Sequence, residues 1–242
     1  MRGKPFSQQN FRIIENFEIL LVFETSVLGF SDDFGGKMFE TDIYADLQHR
    51  LISSDFDHGE KLRAEQLKLD YNCSASTVRE VLFRLSTEGL VDFLEQRGFR
   101  VPVASPTILA ELAHVRILLE AEGTALSIRY GGVAWEARLT AAHHQLGHIE
   151  KRIHASEDPS PLVEIWFNAE LEFHQTLISA CRSETLKSMH HKIYRRFRQQ
   201  LMIADRNFDF ISMNIEHHKA ILDAALGGDE ALTRRKIHDH LA

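Results

Sequence analysis

Between residues 74 and 103 the spacing of apolar positions changes period. Val78, Val81, Leu82 and Leu85 recur at i, i+3, i+4 and i+7, which puts them on one face of a helix. Thr77, Arg79, Glu80 and Arg84 fall on the other face. Ser74 and Ser76 both suit the N-cap, and Gly89 stands where a helix end takes a left-handed residue. Two short runs follow, LVDFL at 90–94 and FRVPV at 99–103, divided by EQRG, in which Gly98 can take the positive φ of a tight hairpin. Upstream, Ile43, Leu47 and Leu51 recur at i, i+4 and i+8. Residues 55–62 read as a turn, and 63–71 read as a second helix with Leu67 inward.

Three short helices and a hairpin within 41–103 predict a winged helix-turn-helix. Such a unit touches DNA twice, with a helix in the major groove and a basic wing tip, here Arg97-Gly98, on the backbone or in the minor groove. Beyond Pro102, Ser105 and Pro106 no β-rich run occurs. Residues 107–130, 134–154, 161–181, 184–206, 208–227 and 229–242 all read as helices with short connections, which predicts an antiparallel bundle. The fold class is therefore mainly α, with an N-terminal winged helix-turn-helix at 39–104 and a C-terminal all-α bundle at 106–242.

Charge changes this picture. The chain of 242 residues carries a net charge of −7, so it is no general polyanion binder. Residues 61–100 hold seven Lys and Arg against six Asp and Glu, so DNA contact must come from one face rather than from an overall field. Two distant cysteines, Cys73 and Cys181, read as reduced cytoplasmic thiols. The apolar segment 17–30 is short for a membrane span and is interrupted by Glu18 and Glu24. No membrane partner is expected. Residues 1–38 read as an N-terminal extension; GGKM at 35–38 would be encoded by purine-rich codons just before Met38, much like a ribosome-binding site, so a natural start at Met38 is expected.

Fourteen histidines call for a separate reading. The adjacent pairs His143-His144 and His190-His191 point about 100° apart on a helix and read as a solvated face. Glu170 and His174 stand at i and i+4, neighbours on one helical face and suited to chelation. EHHKAIL at 216–222 offers His217 or His218, with Ile221 and Leu222 placing the bundle-facing stripe near His218, and IHDHLA at 237–242 offers His238 or His240. One carboxylate and three imidazoles suit a divalent first-row metal, zinc first, with nickel, manganese or iron as alternatives. A metal site of this kind could also activate water, as in a metal-dependent hydrolase, but no nucleophile-base pair accompanies it. Arg195, Arg196 and Arg198 read as a basic solvated face, with one of them available to line a pocket.

The stretch GEKLRAEQLKLDYNCSASTVREVLFRLSTEGLVDFLEQRGFRV resembles the N-terminal domain of the GntR family of bacterial transcription regulators. The match runs through Gly59, Leu62, Leu67, Ser74, Val78-Arg79-Glu80, Leu82, Arg84-Leu85, Glu88-Gly89-Leu90-Val91 and Arg97-Gly98-Phe99. It implies DNA contacts from Ser74, Ser76, Thr77, Arg79, Arg84, Arg97 and Gly98. The family has an arginine after the serine that opens the recognition helix, and here Ala75 stands there. That removes a contact worth about 1–3 kcal/mol of discrimination at guanine, so either the operator is expected to differ or binding to be weaker.

The helical half resembles the FCD branch of that family. The branch's acid four residues before a histidine falls on Glu170 and His174, with glutamate replacing its aspartate and Phe173 kept. Its histidine in H-x-A-I falls on His218, and its last histidine on His240. Its R-x-x-L-E motif resembles residues 116–120, with Arg116 as a clamp for an effector carboxylate, or as a structural ion pair with Glu120. The resemblance implies a homodimeric regulator, commonly a repressor, that binds operator DNA and senses a small organic acid through a divalent metal in the bundle. The same regulator without metal, its bundle serving dimerisation, is the alternative.

Overall fold

The computed structural model describes residues 40–204 and 209–242; the apolar segment 17–30 and Met38 lie outside the described residues. Helix α1 spans Glu40–Ile52, followed by a two-residue strand β1 (Lys61–Leu62), α2 (Ala64–Asp70) and α3 (Ala75–Thr87). Of the two candidate caps on α3 the chain uses Ser74, whose Oγ accepts from the Thr77 amide at 3.1 Å. At the other end Gly89 takes φ 77°. The amides of Gly89 and Leu90 then donate to Ser86 and Leu85 carbonyls, each at 3.1 Å, which closes the helix with a Schellman motif.

The wing follows as β2 (Asp92–Leu94) and β3 (Gly98–Arg100), with Gly98 at φ 78° in the turn. Segment 55–62 is more than the expected turn. Lys61 and Leu62 pair antiparallel with Arg100 and Phe99, making a three-stranded sheet in the order β1-β3-β2. The period-2 signal needs more than two residues, and β1 exists because the hairpin offers it an edge. Ile43, Leu47, Leu51, Leu67, Val78, Val81, Leu82, Leu85 and Leu90 form one buried core under this unit.

Six further helices complete the described chain: α4 (Pro106–Tyr130), α5 (Gly132–His154), α6 (Ser160–Ile178), α7 (Glu184–Ala204), α8 (Asp209–Leu226) and α9 (Glu230–Leu241). Trp135, Leu139 and Leu146 of α5 meet Trp166, Phe173 and Leu177 of α6, and Ile221 of α8 and Ile237 of α9 close that core. Trp135 is fully enclosed and its indole N–H donates to the Thr176 carbonyl at 2.8 Å. Helix α4 is built the other way round. Its buried positions include Arg116, Glu120, Thr124 and Ser127, while Ile108, Val115 and Leu118 are exposed.

The two halves meet along α7. Gln199 is buried and its Nε2 donates to the carbonyls of Leu51 at 3.2 Å and Leu90 at 3.0 Å, one in the last turn of α1 and one after α3. Gln200 accepts from the Ser105 amide at 3.0 Å and donates to the Val103 carbonyl at 3.3 Å, which pins the connecting segment. Arg195 lies 3.7 Å from Glu88. Gln199→Leu is expected to lower stability by about 1–3 kcal/mol, because two buried carbonyls lose their donor. Equilibrium urea unfolding measures it, and a midpoint equal to wild type would show that the carboxamide holds nothing.

Candidate functional site

The bundle's polar centre is organised by α4. Arg116 and Glu120 are one turn apart and both buried, with Arg116 Nε 2.5 Å from Glu120 Oε1. Arg116 Nη2 donates to Glu170 Oε1 of α6 at 3.1 Å. The structural ion pair read from the sequence is thus present, and the Nε/Nη2 edge of Arg116 is already occupied by carboxylates. Glu120 accepts twice more, from His174 Nδ1 of α6 at 2.7 Å and His190 Nε2 of α7 at 2.9 Å. Burial alone would raise the Glu120 pKa; Arg116 and His174 outweigh it and hold the carboxyl well below its usual range. His190 corrects the solvated-face reading: it is fully enclosed, because α7 turns that side toward Glu120.

One turn along α6, Glu170 and His174 share the face that points to α8 and α9. Glu170, His174, His218 and His240 each offer a ligand atom, and these atoms lie within 4.8 Å of one another. Of the alternatives in sequence, the cluster takes His218 and not His217, which is exposed, and His240 and not His238, also exposed. The rings converge, with centroids 5.5 Å apart for His174 and His218 and 4.5 Å for His218 and His240.

Outer carboxylates set the tautomers. Glu120 receives Nδ1 of His174, and Glu150 of α5 receives Nδ1 of His218 at 2.7 Å. His218 therefore keeps its proton on Nδ1 and leaves Nε2 as a lone-pair donor, while the Glu120 contact turns Nε2 of His174 toward Glu170 Oε1, 3.2 Å away. Nε2 of His218 and both nitrogens of His240 are buried with no hydrogen-bond partner, and Nε2 of His174 lies 3.2 Å from Glu170 Oε1 without an aligned hydrogen bond. Imidazoles carrying orphaned nitrogens that face one carboxylate are the donor set of a first-row cation, so the residues fit the metal that the FCD resemblance implies. Tetrahedral bonds of about 2.0–2.1 Å hold ligand atoms about 3.3–3.4 Å apart, so the cluster closes on an ion by side-chain shifts of about 1 Å. Burial lowers the pKa of His218 and His240, which keeps both neutral. For His174 burial acts downward, but Glu120 and Glu170 more than offset it.

Glu150 was not among the residues read from the sequence. It falls four residues after Leu146 on the apolar stripe of α5, and an acid on a core stripe was the available signal. Burial pushes its carboxyl up to about 7. Tyr194 was also missed: its hydroxyl donates to Glu170 Oε2. Beside the cluster lies a cavity of about 180 Å³ lined by Arg116, Glu170, Tyr194, Arg198, Asn214 and His240 among others. Of the three arginines at 195–198, Arg198 is the one that leaves the solvated face: it shares the inward face of α7 with Tyr194, is buried and lines the cavity.

On the opposite half, Ser74, Ser76 and Thr77 gather their hydroxyls at the start of α3, with Ser74 Oγ 2.7 Å from Ser76 Oγ and 2.9 Å from Thr77 Oγ1. Arg79 follows on the exposed face and is held by Glu65 of α2 at 3.0 Å, a solvated pair of little strength. Arg84 lies about 7.5 Å further along the helix. It pairs with Glu40 at 3.0 Å and its guanidinium lies 4.5 Å from the centre of the Tyr44 ring, so it is turned toward α1. Arg97 is exposed in the wing turn, next to Gly98. Ala75 is half-buried against the core, where the family's arginine would stand.

Comparison with known proteins gives this arrangement its context. Residues 39–101 match the family of bacterial regulatory proteins named for gntR, and residues 111–242 match the FCD domain. The chain is 34% identical over 187 residues to BphR of Paraburkholderia xenovorans (strain LB400), an uncharacterized HTH-type transcriptional regulator, covering 76% of this chain and 74% of that one. It is 27% identical over 204 residues to the HTH-type transcriptional repressor GlaR of Escherichia coli (strain K12), covering 83% and 91%. The fold matches E. coli McbR/YncC at a TM-score of 0.67 and 20% identity, over 84% of this chain and 92% of that one. A GntR regulator from Rhodococcus sp. RHA1 matches at 0.66 and 21% identity, over 84% and 93%. These relatives are transcription regulators, not enzymes, and among the described residues no helix is long and apolar enough to cross a membrane. The chain belongs to the GntR family of DNA-binding transcription regulators, with an FCD domain behind its helix-turn-helix domain.

Proposed function

We propose that this regulator is a homodimeric repressor whose residues 39–104 read operator DNA and whose residues 106–242 sense a small organic acid and dimerise. The observation that carries the reading is the set of orphaned imidazole nitrogens beside a cavity bordered by Arg116 and Arg198. Glu170, His174, His218 and His240 would hold a divalent ion, zinc first, with nickel, manganese or iron as alternatives. When bound, it supplies a Lewis-acidic position for a carboxylate oxygen. Arg116 and Tyr194 fix Glu170, and Glu120 and Glu150 orient two of the imidazoles.

Ser74, Ser76 and Thr77 at the amide end of α3 suit phosphate or base-edge contact, Arg79 a base edge, Arg84 the flanking backbone once released from Glu40, and Arg97-Gly98 the wing contact. Two such units on a two-fold axis would read a palindrome. The exposed apolar residues Ile108, Val115 and Leu118 share one face of α4 within about 80° of arc, which supports a second copy packing there. The acid would act through α7, which borders the cavity with Tyr194 and Arg198 and grips the DNA-reading half with Gln199 and Gln200. Repression is favoured because GlaR is named a repressor.

Purified protein is expected to hold about one divalent ion per chain, and His174→Ala to reduce this to background while the helical content stays. Elemental analysis decides it: a wild-type protein at background, equal to the variant, would leave the bundle as a dimerisation module without metal. On an operator selected from random duplexes, Arg79→Ala is expected to cost about 1–3 kcal/mol and to relax preference at one base pair. Arg97→Ala should instead weaken all sequences alike and lower the salt slope by about one. Fluorescence anisotropy at several salt concentrations separates the two, and an unchanged Arg79→Ala affinity would contradict the base-edge role.

A further inference from the structure

Arg198 is a buried cation with one edge of its guanidinium unfilled. It is 3% exposed, on the face of α7 that carries Tyr194 one turn earlier. Its Nε and Nη2 have no hydrogen-bond partner. The nearest acid is Glu170, whose Oε2 lies 3.6 Å from Nη1, outside hydrogen-bond range and already receiving the Tyr194 hydroxyl. The rings of Trp166 and Phe167 flank the guanidinium, which excludes water without supplying an acceptor. A charge taken out of water is retained where something pairs with it.

The two orphaned atoms are informative together. Nε and Nη2 form one edge of the guanidinium, with two parallel N–H bonds at the spacing of a carboxylate's two oxygens. In Arg116 the same edge is filled, by Glu120 and Glu170. In Arg198 it is open. Arg198 also stands in two walls at once. One is the 180 Å³ cavity shared with Arg116, Glu170 and His240; the other is a cleft of about 190 Å³ lined by Gln48, His49 and Ile52 of α1 with Phe167 and Asn168 of α6.

We infer that Arg198 is the anion-binding group of the effector cavity, taking the carboxylate of a short organic acid side-on where that cavity meets the cleft beneath α1. The inference rests on the acid-sensing reading and deepens it by naming the residue and the ligand class. The cavity is smaller than the roughly 300–1,000 Å³ of sites for drug-sized ligands, so a short hydroxy acid or dicarboxylate fits and a long acyl chain does not. Arg116 then serves to hold Glu120 and Glu170 in place. Because Gln199 and Gln200 directly follow Arg198 on α7, an acid seated here bears on the segment of α7 that grips the DNA-reading half.

The test uses the full chain supplied with zinc, in wild-type form and as Arg198→Met and Arg198→Gln. Melting temperature is followed against acetate, lactate and malate, with zinc content measured alongside. At least one acid should raise the wild-type melting temperature. Both variants should keep their zinc, melt no lower than wild type without acid, and bind that acid about 10- to 100-fold more weakly. A wild-type acid response in either variant overturns the inference and leaves acid sensing intact. So does a response lost together with zinc, since Arg198 would then act through Glu170. A wild-type protein indifferent to all three acids removes the acid-sensing reading itself, and this inference with it.

Discussion

A carboxylate sealed from water has to be matched by donors, and Glu120 is such a group at the centre of the bundle. It is 0% exposed and takes Arg116 from its own helix, His174 from α6 and His190 from α7. Removing one partner of a buried charge costs about 3–5 kcal/mol, so the three helices are held to positions that keep all the contacts. The same contacts hold the ring of His174 and turn its Nε2 toward Glu170, His218 and His240. Chelating geometry and bundle geometry are thus one constraint. It explains why α4 carries a polar stripe inward and leaves apolar residues on its outer face.

Helix α7 converts that constraint into a link between the halves. Over two turns it presents His190 to Glu120, Tyr194 to Glu170 and Arg198 to the cavity. Its next residues, Gln199 and Gln200, bind backbone carbonyls and an amide at the ends of α1 and α3 and in the connecting segment. Displacement of α7 at the cavity cannot occur without disturbing those contacts. An effector that favours one position of α7 therefore has a route to the DNA-reading half, and the coupling must act equally in both directions.

Much of the fold is legible in the chain because its elements announce themselves locally. Ser74, the 3.6-residue stripe from Val78 to Leu85 and Gly89 mark the start, face and end of α3. Breaks such as YGG at 130–132 and GGD at 227–229 mark the bundle's turns. Strand β1 escapes notice because two residues carry no period and the pairing partner is distant. The site is legible only in part. Glu170 and His174 are visible as an i, i+4 pair, but spacing cannot choose between His217 and His218 or between His238 and His240. Burial makes that choice. Arg198 and His190 sit in runs of basic residues that read as a wet surface, and the helix turns each of them inward. Glu150 hides as one polar residue in an apolar stripe, and its role appears only when His218 arrives from α8.

Operator affinity measured in one titration series, with and without metal and with and without acid, tests the central claim that the polar centre of the bundle governs DNA binding. Using the acid that most raises the melting temperature, the account predicts a change in operator affinity of about 5- to 150-fold, equivalent to about 1–3 kcal/mol of coupling. It also predicts that a chelator abolishes the change. Equal affinity in all four conditions would contradict it and would leave the bundle with no part in regulation beyond holding two copies together.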